Sequence, residues 1–398
     1  MKTIKYCVIL VLTVIFYSCN HLGKSASADF SNVIQIMYDT INTKQVKLEQ
    51  IVNNCSFVKL ETNSNCLIGS IDKLIFADSL IIIVDKTIAK TIYVFDSTGH
   101  FKNKVSRVGN ASNEFLKLAD IFVNSESEIC LVDNAKTKIM AFSYDGSYLY
   151  SKDNPYPNYE MDYIDNNRLA LFTSFNLSTN GNKKVENSCY AVVDKELNPV
   201  YTFGREPYAD HPSFYMTRNR NLFRFDDKVY CTLNFGNVIY ELGPDSVTAK
   251  YKLSITPGVL YEPKDEDFES GSALIQARND HPYFIGNFFE CDNYSFFNYF
   301  IPEAFPRSRW IIYNHRTETV LSLSNKTIDP ILDFFYCPIA RYGDRTLVEP
   351  VSATNICMAK EYYEKKGIHS EKLDELFEGM SVDSNPVLFF YDIDLGDL

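Results

Sequence analysis

Three aspartates at equal intervals constrain this chain more than anything else in it. Asp96, Asp145 and Asp194 close the runs Tyr93–Asp96, Phe142–Asp145 and Ala191–Asp194, and the intervals 145 − 96 and 194 − 145 are both 49 residues. A further step of the same length reaches Gly243, which ends Val238–Leu242 just before Pro244-Asp245. Ile83-Val84-Asp85 returns as Leu131-Val132-Asp133, and Gly99-His100-Phe101 as Gly146-Ser147-Tyr148. Within the first repeat, Ile71–Phe76, Leu80–Asp85, Thr91–Asp96 and Phe101–Val105 are four short β-branched-rich runs separated by turn residues. A period of about 50 residues built from four strands is that of a propeller blade, whereas helical repeats carry a 3.6-residue rhythm inside each unit. One such sheet cannot bury both faces alone, so it needs neighbours.

Extending the register predicts an all-β fold, a six-bladed β-propeller of four-stranded antiparallel blades. The blades run from about Leu67, Lys117, Tyr159, Phe214, Pro282 and Leu332, the sixth from Leu332–Ala340 through Thr346–Val351 to Val387–Asp394. That last blade is one strand short. Cys55–Glu61 is the natural candidate to close the ring, with Val33–Tyr38 adding to the same region, because joining the two chain ends covers edges otherwise exposed. Two short helical insertions interrupt the period, at about 258–280 and 355–382. The first has Asp265, Glu266, Asp267 and Glu269 ahead of Ala273-Leu274-Ile275, and the second breaks at Gly367. Both suit either surface decoration or partial lids over one face.

The N-terminus reads as an address. Lys2 and Lys5 precede the apolar Val8–Phe16, which is short for a membrane span, and Ser18-Cys19 follows. Residues 1–18 are therefore expected to be a lipoprotein signal peptide, Cys19 the lipidated residue, 19–32 a lipid-attached tether and 33–398 the propeller. Loss of Lys2 and Lys5 would move the net charge from −12 to −12 − 2 = −14. That balance argues against nucleic acid as a partner. The membrane is then touched through the lipid alone, by a monomer on the outer membrane; with the first acid after Cys19 only at Asp29, the periplasmic side is favoured over the cell surface. Aromatic residues, 14% of the chain, suit packed sheets. Of ten cysteines, Cys55 and Cys66 are a close pair, for which a bridge and two free thiols both remain open.

Ile83-Val84-Asp85, Ile92–Asp96, Gly99-His100-Phe101 and then Arg107-Val108-Gly109 and Asn113-Glu114-Phe115 resemble an NHL-type blade. With Phe57–Thr62 ahead of them, they resemble the six-bladed β-propeller lipoproteins of Gram-negative gut-type anaerobes. The resemblance implies the fold and an envelope location, and no particular reaction. Gly109–Phe115 stands where that family has a more glycine-rich loop.

Loops between blades, and between second and third strands, surround the mouth of a propeller where ligands usually sit. The candidate ligand-binding residues there are Arg107, Asn113, Glu114, Arg205, Glu206, Tyr208, His211 and His281, with Arg107–Glu114 pairing as the competing use of that couple. The recurrent Asp85, Asp133 and Asp145 fit turn-making better than chemistry. No GxSxG, HExxH, P-loop or Cys/His metal spacing occurs, so no catalytic residue, metal or cofactor is assigned. The expected function is a lipid-anchored binding or interaction module for a glycan, peptide or envelope protein. The alternatives are a metal-dependent enzyme of lactonase or lyase type and a scaffold in an envelope complex.

Overall fold

The computed structural model describes residues 24–156, 160–173, 188–205, 220–233, 235–302, 307–324, 327–396 and 398. Six mainly antiparallel four-stranded sheets form a ring. Blade 1 is Lys73–Ala77, Leu80–Asp85, Thr91–Asp96 and Phe101–Val105, and blade 2 is Leu118–Val123, Ile129–Asp133, Lys138–Phe142 and Tyr148–Asp153. Blade 3 comprises Glu160–Asp165, Arg168–Phe172, Tyr190–Asp194 and Pro199–Phe203; blade 4 comprises Leu222–Phe225, Lys228–Thr232, Val238–Leu242 and Val247–Thr256. Blade 5 is Tyr283–Glu290, Tyr294–Phe300, Ser308–Asn314 and Thr319–Ser324. Blade 6 takes Ala340–Tyr342, Thr346–Val351 and Val387–Ile393 from the C-terminal end and Val52–Lys59 from the N-terminal end, in register Val387↔Lys59 and Tyr391↔Cys55. The ring is therefore closed by the N-terminal strand, as the missing fourth strand required.

Apolar side chains packed between consecutive blades form the core. Val84, Val94, Leu131 and Met140 fill the space between blades 1 and 2, and Phe225, Phe288, Phe297 and Trp310 belong to a larger cluster spanning blades 4 to 6. Cys55 and Cys66 are free, buried thiols in two different clusters, and Cys66 Sγ donates to the Glu61 carbonyl at 3.1 Å.

The repeating aspartates are turn devices. Asp85 accepts from the backbone N–H groups of Gly69, Ser70, Ile88 and Ala89 at 2.8 to 2.9 Å, tying the entry to blade 1 to its second turn. Asp133 does the same for Leu116, Lys117, Ala135 and Lys136. Asp96, Asp145 and Asp194 serve the turn between third and fourth strands, accepting from the N–H of His100, Ser147 and Asn198 respectively. The carboxylate replaces backbone partners that a tight turn cannot supply.

Two segments differ from expectation. Pro330–Phe334, read as part of a strand beginning at Leu332, is a 3-10 turn: Pro330 starts it and the Asp329 carboxylate accepts from Ile331 N–H at 3.1 Å. The N-terminal segment does not hang free. Lys24–Ser25 runs parallel to Pro199–Phe203, Ala28–Asp29 and Ile34–Asp39 run parallel to Val247–Thr256, and Lys44–Lys47 runs parallel to Thr319–Ser324. It thus covers the outer edges of blades 3, 4 and 5 before closing blade 6. The described part of the expected tether lies on this rim, and Val33–Tyr38 extends blade 4 rather than the closure.

The insertions carry three helices. Helix α1, Gly271–Asn279, is capped by Ser270; α2, Ala353–Lys366, ends at Gly367 with a left-handed φ of 64°; α3, Glu371–Phe377, is capped by Ser370. Ile356, Tyr363, Leu373, Leu376 and Phe377 seat α2 and α3 against Leu332, Phe334 and Phe389. Among the described residues no helix is long and apolar enough to cross a membrane.

Candidate ligand site in the central channel

In each blade the first strand borders the channel. The connections between blades, and between second and third strands, define an upper face; the remaining turns define a lower face. Five of the six first strands place charge toward the axis: Lys73, Asp120, Glu160 with Asp162, Arg224 and Arg341. The channel has two halves that share Lys73, Leu74 and Arg220.

The upper half is a cavity of about 150 Å³. Its centre is the buried Asp120 carboxylate, which pairs with Lys73 at 3.0 Å and Lys86 at 3.1 Å and accepts from Met161 N–H at 3.1 Å. Burial opposes its charge, but the two ammonium groups outweigh it and hold the carboxyl below its ordinary value. Glu160 accepts from the N–H groups of Asn221 and Leu222 and from Asn221 Nδ2 at 2.8 to 3.0 Å, which locks the start of blade 4 beside Arg220.

The lower half is larger, about 460 Å³, and blades 1, 2, 3, 4 and 6 line it. At its mouth Asp78 accepts from Ser127 Oγ at 2.6 Å and Tyr144 OH at 3.0 Å, bonds that lower its pKa. On its wall the Arg224 guanidinium lies 3.8 Å from the centre of the Tyr163 ring and 3.5 Å from Asp162 Oδ1. Burial raises the Asp162 carboxyl in spite of Lys73 and Arg224. Arg341, almost wholly buried, pairs with Asp226 and donates to the Glu290 carbonyl at 2.7 Å. At the junction of the two halves Arg220 donates, among the described residues, only to backbone carbonyls, Leu222 at 2.9 Å and Ile339 at 3.3 Å. The whole is a rigid cavity with fixed guanidinium donors and walls from Phe76, Tyr144 and Phe225, an arrangement for polar recognition.

The described candidates read from the sequence lie elsewhere. Arg107 is exposed, Asn113 and Glu114 are half-buried in the loop between blades 1 and 2, and His281 is exposed after α1 with Nδ1 2.8 Å from the Ala277 carbonyl. Glu114 accepts from Ala111 N–H at 2.9 Å and makes no ion pair with Arg107. Arg205 is exposed beyond the outer strand of blade 3. None of these five lines either half of the channel. Cys19, Glu206, Tyr208 and His211 fall outside the described residues. The helices, though they rise from the upper face, do not line it either. The missed residues had a faint signal: a charge inside the first strand of successive repeats, as in Lys73, Asp120, Asp162 and Arg224.

A serine, histidine and glutamate also meet between blades 4 and 5. Ser295 Oγ lies 2.8 Å from His315 Nε2 and donates to Glu290 Oε2 at 2.8 Å. This is not a nucleophilic triad, because Ser295 is fully buried and the acid meets the hydroxyl rather than the far ring nitrogen of the histidine. Among the described residues no group of three or more His, Cys, Asp or Glu side chains is arranged to hold a metal ion.

Ring and channel together define a six-bladed propeller with a charged central cavity of ligand size. The chain belongs to the family described as Domain of unknown function (DUF4934), whose model matches residues 31–392. Among solved structures it is similar to a Bacteroides fragilis protein inferred to be exported, with a TM-score of 0.73 at 18% identity over 91% of this chain and 100% of that one. A DUF4221 family member from Bacteroides vulgatus gives 0.49 at 9% identity over 86% and 97% of the two chains. Virginiamycin B lyase of Staphylococcus aureus gives 0.37 at 12% identity over 74% and 80%. The last two likenesses are too slight to bear on function. No curated protein matches the sequence.

Proposed function

We propose that this chain is an exported, lipid-anchored propeller of the cell envelope that binds a small polar ligand, a glycan or peptide end, in the lower half of its channel. The observation that carries the binding reading is the 460 Å³ cavity, walled by five blades and furnished with guanidinium groups held in place by their own neighbours. Such volume and preorganisation are those of small-molecule sites. Export is supported by Lys2, Lys5, Val8–Phe16 and Cys19, and by the likeness to a protein inferred to be exported. The test is the melting temperature of the purified protein against a panel of glycans and short peptides. A saturable rise is expected, about 2.7 kcal/mol of added stability at roughly a hundred times Kd. Substitution of Ala77, on the cavity wall, by Trp should remove the rise while the fold persists; a flat response to the whole panel would refute the reading.

A further inference from the structure

We propose, resting on the binding reading above, that the lower half of the channel recognises an oxyanion, a carboxylate or phosphate group on a small ligand, with Arg220 and Arg224 as its donors. The reasoning is an accounting of hydrogen-bonding capacity around the cavity. Its carboxylates are engaged: Asp78 by Ser127 and Tyr144, Asp162 by Arg224 and Tyr163 N–H, Asp226 by Arg341. Lys73 is engaged too, by Asp120 and the Ile121 carbonyl. The capacity left over is donor capacity. Arg220 meets no carboxylate within ion-pair distance among the described residues and bonds only to two carbonyls. Arg224 has a single ion pair among the described residues, from Nη1 at 3.5 Å, and its side chain, 26% exposed, lines the cavity.

Two guanidinium groups with unspent N–H donors, facing one cavity, call for acceptors in pairs, and carboxylate and phosphate oxygens match that fork bidentately. The site lies inside the ring, where screening by salt is weaker than at the surface, so a charged acceptor gains more there than a neutral hydroxyl. Phe76, Tyr144 and Phe225 leave room for a compact ring or short chain to carry the anion.

The experiment measures melting temperature of the purified chain at constant ionic strength with three probes: galacturonic acid, its neutral counterpart galactose, and inorganic phosphate. The expected result is a saturable rise with at least one of the two anions and none with galactose; the anion that acts distinguishes a carboxylate from a phosphoryl source. Arg220→Gln and Arg224→Gln should each weaken the effect about tenfold or more, since a hydrogen bond to a charged group is worth roughly 1.5–3 kcal/mol. Lys102→Gln, on the exposed outer strand of blade 1, should leave it unchanged. Arg224→Gln keeps the test open if Arg220→Gln does not fold. A rise with galactose equal to that with galacturonic acid, unaltered in both arginine variants, would overturn the oxyanion inference and leave the binding reading standing. No rise with any probe would overturn the inference, and a flat glycan and peptide panel beside it would overturn the binding reading as well.

Discussion

Glu349, buried, and His315, half-buried, are ionisable groups whose effects on stability run in opposite directions with pH. Burial pushes the Glu349 carboxyl up from 4.5 to about 7, although Cys337 and Tyr336 N–H groups donate to it. Between those values the folded state keeps a proton that the unfolded chain has released, so stability falls as pH rises, by up to roughly 3 kcal/mol from this group. Burial, helped by Lys250, pushes His315 down from 6.5 to about 4. There the unfolded chain holds the proton that the folded state lacks, so stability rises with pH. The two slopes oppose each other across most of this range. Relative to the parent, Glu349→Gln should make urea-derived stability rise more steeply from pH 4.5 to 6.5, and His315→Asn should make it fall. Parallel curves for all three proteins would show that neither group titrates as its burial requires. Neither role was legible in the sequence, where Glu349 sits in an apolar strand and His315 in a turn; burial is set by elements as distant as Tyr336 and Tyr251.

At the scale of the element, the aspartates that carry the repeat divide by position in the blade. Asp133 is fully buried and takes four N–H groups from two separate turns, whereas Asp145 is exposed and serves one. Asp133→Ala leaves four part-buried backbone donors without their acceptor and should cost about 3 kcal/mol in urea unfolding. Asp145→Ala should be much milder, because water replaces the lost acceptor. Equal losses would mean that the buried staple contributes no more than an ordinary turn. These elements were readable from the chain because strands and turns are local and repeat. The rim strands were not: Lys24–Ser25 and Ala28–Asp29 are two residues each, and their parallel partners Tyr201 and Val247 lie far along the chain. The channel donors share that difficulty, since Arg220 meets Ile339 only after the ring has closed. Sequence reasoning placed the candidate site in the conspicuous loops of the upper face, while the larger cavity formed from inner strands above the plain turns of the lower one.

The whole molecule joins ring closure to its proposed anchorage. The N-terminal segment passes blades 3, 4 and 5 as a strap before Val52–Lys59 completes blade 6, and its Ile36, Val46, Leu48 and Ile51 are buried in the core shared by blades 4 to 6. A lipid on Cys19 would therefore be linked to a structural part of the propeller. Between Cys19 and Lys24, which pairs with Tyr201 on blade 3, the chain can reach no more than about 18 Å. The rim near blades 3 and 4 is thus expected to lie against the membrane, with blade 6 held away. Nitroxide labels separate the outcomes in lipid-bound protein whose half-buried Cys337 and Cys357 are replaced by Ser. A label at Asp245, an exposed turn of blade 4, should be relaxed by a lipid-soluble agent, and one at the exposed Val382 of the blade 6 insertion should not. Cys19→Ser should abolish both palmitate labelling and that difference. Equal accessibility at the two positions in the lipidated protein would mean that the strap is released from the rim at the membrane. The edges of blades 3 to 5 would then be free, and the melting temperature of the anchored form should drop below that of the Cys19→Ser protein.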